Sequence, residues 1–235
     1  MNVILALALA GAVSLAGARA LRQRPLVFYA GAAAAVVLYL LFAEPTPDTL
    51  VRPFQDLMQK GQLGFAFFVV VMFAGTLRKD SALGGRLLPV RGELSILGSI
   101  LVCGHFVLLL ANYAGLLGHF FQLRASLMVP LALSLALLAV LAVLTVTSFR
   151  RVRSAMDPRL WRRVQRLAYL FFGLVYLHIL GYLLVPALQG AANARLSIAV
   201  YSVVFACYVA LRIRAAMRSG ATREAQGAEV KVGMH

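Results

Sequence analysis

Acidic residues are what this chain has least of. Of its 235 residues only 8 are Asp or Glu, against 23 Lys or Arg, and charged residues of either sign make up 13%. A soluble domain carries about 25% charged and about 45–50% apolar residues. Here 62% are hydrophobic and the mean hydropathy is +0.86. Such a composition excludes a soluble enzyme, a disordered tail and a disulfide scaffold. Cysteine is equally scarce. Cys103 and Cys207 both lie inside apolar runs, where they read as small buried hydrophobes. Two cysteines so placed exclude a disulfide framework and any cysteine-based zinc or iron–sulfur site. The apolar runs also lack Asp, Glu, Lys and Arg at depth. An ion-driven transporter usually needs an intramembrane carboxylate relay, and a di-metal carboxylate site needs inward-facing Glu residues; neither is available.

What is present is apolar sequence in membrane-sized lengths. About 20 mostly apolar residues span a bilayer, and seven stretches qualify, at roughly 2–18, 26–43, 61–77, 93–117, 127–148, 165–187 and 196–213. Turn-forming residues separate them: Pro25, the Glu44-Pro45-Thr46-Pro47-Asp48 run, and Gly84-Gly85. The expected fold is therefore an all-α integral membrane bundle of about seven transmembrane helices. An N-terminal helix with its basic loop occupies 1–25, a six-helix core 26–214, and a flexible cytoplasmic tail 215–235.

The net charge of +15 would suggest nucleic acid in a soluble protein, but the arginines lie in short segments between apolar runs, so membrane lipid is the expected partner and nucleic acid is not. Arg19, Arg22 and Arg24 follow the first span; Arg78, Lys79, Arg86 and Arg91 the third; Arg150, Arg151, Arg153, Arg159, Arg162, Arg163 and Arg166 the fifth; Arg212, Arg214, Arg218, Arg223 and Lys231 the seventh. The intervening loops hold only Arg52 and Lys60, then Arg124, then Arg195. The alternation places the N-terminus outside and the C-terminus in the cytoplasm of a cytoplasmic (inner) membrane protein, and it requires an odd number of spans. No positive charge precedes the first apolar stretch, which favours a retained helix over a cleaved signal peptide.

An ionisable side chain at membrane depth is a functional hypothesis by default, and there are two central ones, His105 and His178. His105 lies 14 residues after Arg91, and His178 lies 12 after Arg166. At about 1.5 Å per residue, both sit about 18–21 Å from an arginine at the headgroups, near the middle of a hydrocarbon core about 30 Å thick. Two readings follow from this spacing: paired imidazoles as axial ligands of a haem iron, or unrelated histidines bonded to neighbouring hydroxyls or carbonyls. Gly98, Gly104, Gly173 and Gly181 near them would let a macrocycle approach the backbone or would serve ordinary helix packing. His119, 14 residues beyond His105, reads as an interfacial histidine, although it could serve a second, outer haem, and His235 as an uninvolved terminus. Asp157-Pro158 reads as a helix start. The arginines of 149–166 with Trp161 read as a topology anchor or, alternatively, as a docking surface for an electron donor. Tyr169, Phe171 and Phe172 would face lipid or core, or line a quinone site.

Three segments resemble the ferric-reductase-like transmembrane domain family, which includes the haem-binding membrane subunit of the methionine sulfoxide reductase system. They are Arg91-Gly92-Glu93-Leu94 continuing to His105; Thr147-Ser148 with Trp161 to Leu170 and Tyr176-Leu177-His178; and, more weakly, Gly61-Gln62-Leu63-Gly64 with Thr76-Leu77-Arg78. The resemblance implies a b-type cytochrome in which His105 and His178 ligate the iron of one haem b. Electrons would pass from a quinol or a reduced flavin, through a cytoplasmic flavin reductase or quinol donor, to an extracytoplasmic redox partner. The chain would then be the electron-transfer component of a membrane oxidoreductase. Where the family carries a further histidine, 13 residues before the last one, this chain has Gln165, so a single haem is expected. The flavin and NADPH domains of the family's large oxidases have no counterpart in these 235 residues. The alternative is a cofactor-free membrane anchor or assembly protein.

Overall fold

The computed structural model describes residues 2–42, 51–117 and 125–232, and every α or 3-10 element among them is helical. In chain order they are α1 (Asn2–Ala16), α2 (Ala18–Gln23), α3 (Pro25–Leu41), α4 (Arg52–Gln59), α5 (Gln62–Ala74), α6 (Ala82–Leu87), a 3-10 turn at Leu88–Val90, α7 (Arg91–Leu117), α8 (Ala125–Ser148), α9 (Arg150–Ala155), α10 (Pro158–Gln165), α11 (Leu167–Leu188) and α12 (Ala192–Val232). The Glu44–Asp48 run and His119 and His235 lie outside the described residues.

α5 is the centre of the bundle. Its sequence is apolar on every face, and a helix of that kind is stable only when surrounded. Accordingly Phe65, Ala66, Phe67, Phe68 and Val69 are all buried. Its faces serve three cores: one with α1, α3, α4 and α7; one with Phe172 of α11 and Tyr201, Phe205 and Tyr208 of α12; and one with Leu137, Leu141 and Leu144 of α8 and Phe171 of α11. The outer helices turn large apolar side chains outward, among them Leu26, Leu41, Val129, Leu177, Leu188 and Val203. That pattern suits a lipid surround.

Four helical stretches are long and apolar enough to cross a membrane: Ala82–Ala111, Met128–Ser148, Pro158–Leu188 and Ala192–Arg218. A fifth is possible if α4 and α5, bent by 62° at their junction, count as one. Of the seven expected spans, four or five are matched by length among the described residues. Val3–Ala16 and Pro25–Leu41 are shorter apolar helices, and the break at Gly17 ends the first of them. Gly84-Gly85 is not a turn either. Ser81 caps α6 by accepting a hydrogen bond from the Gly84 amide, and the helix runs through both glycines. The segment expected as a loose tail continues α12 to Val232. Pro25 does open α3, and Asp157 does cap α10, its carboxylate accepting from the amides of Arg159 and Leu160 at 2.9 Å each.

The arginine-bearing segments converge on one end of the bundle. Arg22, Arg91, Arg150 and Arg166 line one cavity, and Arg91 and Arg212 line a smaller one beside it. Segments following the first, third, fifth and seventh apolar stretches therefore share a face.

Candidate functional site: a paired-histidine centre

His105 of α7 and His178 of α11 meet inside the bundle. Their ring centroids are 6.5 Å apart and the rings are nearly perpendicular, at 83°. Three helices, α8 to α10, separate them in the chain; the fold brings them into one site.

Each imidazole is held by its Nδ1. In His105 this nitrogen donates to the backbone carbonyl of Gln59 at 2.6 Å. That carbonyl is free to accept because Gln59 ends α4, and the last carbonyls of a helix have no intrahelical partner. The helix ends there because Gly61 takes a left-handed φ of 63°, which turns the chain into α5. Gly61 also lets His105 approach closely, since a Cβ on it would come within 3.3 Å of the imidazole Cγ. In His178, Nδ1 lies 3.3 Å from the Ser134 hydroxyl, which itself donates to the Pro130 carbonyl at 2.8 Å. With its proton so committed, Ser134 Oγ accepts from Nδ1–H of His178.

The consequence is chemical. When Nδ1 carries the proton, Nε2 carries the lone pair, and this is how partners beyond the metal fix a ligating histidine. Two metal–nitrogen bonds of about 2 Å, with about 1 Å more from each nitrogen to its ring centre, separate opposed imidazoles by about 6 Å. The observed centroid separation of 6.5 Å is close to that spacing. Among the described residues no cluster of three His, Cys, Asp or Glu could hold a metal, so the pair offers two axial positions and nothing equatorial. That donor set suits an iron whose other four ligands come from a macrocycle. Gly173 and Gly181 of α11 are exposed: a Cβ at Gly173 would meet nothing within 4 Å, and one at Gly181 only Pro130 Cγ at 4.0 Å.

Gly98 and Gly104 are buried between helices. Gly98 packs on Gly64 of α5, where a Cβ would come within 3.1 Å of the Gly64 carbonyl, and Gly104 packs on Tyr39 of α3. They are close-packing glycines between helices. Cys103 and Cys207 are exposed rather than buried, on the outward faces of α7 and α12. Gln59, Gly61 and Ser134 were missed by reasoning from the sequence. The only signals were the Gly61-Gln62-Leu63-Gly64 stretch and a proline four residues before a serine on an apolar helix.

Toward the arginine-rich end, Phe171 and Phe68 stack edge to face at 5.2 Å. Beyond them opens a cavity of about 850 Å³. Gln165 lines it and donates to Thr147 Oγ1 at 3.0 Å. Tyr169 and Phe171 also line it, whereas Phe172 is buried against α5 and α12. Glu93, 7% exposed, accepts from Arg150 Nε at 2.9 Å and Nη2 at 2.5 Å.

No family model matches the chain, and no solved structure matches it. It is 41% identical over 159 residues to an uncharacterized protein of Treponema pallidum (strain Nichols), an alignment covering 66% of this chain and 44% of that protein. The chain thus spans less than half the length of the relative it matches.

Proposed function

We propose that the chain is a membrane b-type cytochrome of the ferric-reductase-like group, with His105 and His178 as the axial ligands of one haem. The observation that carries this reading is the 6.5 Å separation of two imidazoles whose Nδ1 atoms are both engaged. When bound, the haem would supply one-electron redox chemistry. The chain's residues would hold the iron through Nε2, set the ring orientations through Gln59 and Ser134, and keep the centre away from water. Electrons would come from a quinol or reduced flavin at the arginine-rich face and leave to an extracytoplasmic partner.

The proposed topology has seven crossings, with α1–α2 and α3 adding to the longer spans. The convergence of four arginine-bearing segments on one end supports an odd number. At about 1.5 Å rise per residue, α3 is about 25 Å long, short of a hydrocarbon core of about 30 Å. Local thinning of the bilayer would accommodate it. The arginine-rich end is then cytoplasmic.

The test is the reduced-minus-oxidised absorption spectrum of the purified protein. A low-spin b-type signature at stoichiometric haem supports the reading. Pure, folded protein from haem-replete cells without that signature overturns it and leaves the cofactor-free anchor or assembly protein.

A further inference from the structure

The cavity at the arginine-rich end has walls of two kinds. Its inner wall is apolar, with Phe68, Val71, Leu141, Leu144 and Phe171. Its outer wall carries the guanidinium groups of Arg22, Arg91, Arg150, Arg153, Arg162 and Arg166, with Glu93 as the one carboxylate. Glu93 is already held by Arg150. Among the described residues Arg91, Arg162 and Arg166 have no carboxylate partner. Arg91 lines the cavity and donates Nε to the Val71 carbonyl at 3.1 Å, which fixes its stem. A volume of about 850 Å³ lies in the range of ligand pockets.

Unpaired guanidinium groups beside an apolar wall recruit an anion, and the planar fork of arginine matches phosphate with two parallel hydrogen bonds. Basic pockets between membrane helices take phospholipid headgroups for this reason. We propose that this cavity binds the phosphate of an anionic amphiphile, with the phosphate against Arg91, Arg162 and Arg166 and the apolar body along Phe68 and Phe171. The assignment is independent of the histidine pair and stands or falls without it.

The chain's single tryptophan reports on it. Trp161 lines the cavity, is anchored by its Nε1–H to the Thr147 carbonyl at 3.0 Å, and lies under Arg153 at 4.5 Å from its ring centre. The purified full chain in neutral detergent is titrated with dioctanoyl phosphatidylglycerol, with phenyl phosphate, and with dioctanoylglycerol as the phosphate-free control, reading Trp161 emission. A saturable change with phosphatidylglycerol alone identifies a membrane lipid as the source. A saturable change with phenyl phosphate identifies a soluble phosphate ester. Arg162→Gln with Arg166→Gln, both at exposed positions, is expected to weaken binding about tenfold or more. Arg86→Gln, at an exposed arginine outside the cavity, should leave it unchanged. Arg91→Lys keeps the charge but not the fork, and should weaken binding less than the double change. No saturable response to either phosphate probe, an equal response to dioctanoylglycerol, or undiminished binding in the double variant would overturn the proposal.

Discussion

The backbone carbonyl of Gln59 accepts the Nδ1 proton of His105 at 2.6 Å. A break between two helices thereby fixes the tautomer of a histidine on a third. No side chain is involved on the α4 side, so the link is tested through the residue that makes the break. At Gly61, φ is 63° and a Cβ would come within 3.3 Å of His105. Gly61→Ala should therefore cost about 1–2 kcal/mol for the left-handed backbone and displace the Gln59 carbonyl. Thermal unfolding in detergent should show the loss, and any bound haem should be released earlier than in the parent.

Losing either imidazole should abolish the paired site. His105→Ala and His178→Ala are each expected to eliminate the low-spin b-type spectrum while the chain still inserts, because insertion follows hydropathy and flanking arginines. The double variant should look no worse than either single one, since the two act as a unit. A normal spectrum in either single variant would refute the assignment of the ligands.

Ser134→Ala discriminates between a ligand and a merely packed histidine. It removes the group that accepts from His178 Nδ1 without touching Nε2. Partners of ligating residues are worth about 10- to 100-fold in metal affinity, so haem transfer to apomyoglobin should be faster by about that range. An unchanged transfer rate would remove Ser134 from the site.

Stoichiometry follows from Gln165, which offers no imidazole and is bonded to Thr147. The pyridine haemochrome assay against protein mass is expected to give one haem per chain. A ratio near two would require ligands outside the pair described.

The Glu93–Arg150 pair should be asymmetric. Glu93 is buried and Arg150 is largely exposed. Arg150→Ala leaves a buried carboxylate without its partner and should cost about 1–3 kcal/mol, whereas Glu93→Gln with Arg150→Ala together should cost less than Arg150→Ala alone. Unfolding midpoints of the three variants decide it.

The sequence by itself determined that this is a helical, membrane-embedded chain, because apolar runs of that length have no other stable home. It also set His105 and His178 at similar distances along the chain from an arginine, 14 residues after Arg91 and 12 after Arg166. Asp157 as a cap was legible too, since it acts within one turn of chain. Only the tertiary structure decided the rest. Whether Gly98 faces a cofactor or a helix depends on which neighbour α7 packs against, and α5 takes that face. The ends of the apolar stretches depend on breaks such as Gly17 and Gly61, whose conformations answer to contacts from other helices. That His105 is held by a carbonyl 46 residues away, and His178 by a hydroxyl 44 residues away, follows from how α4, α7, α8 and α11 come together. A hydrophobic pattern gives each helix an apolar surface; packing alone chooses which helices those surfaces meet.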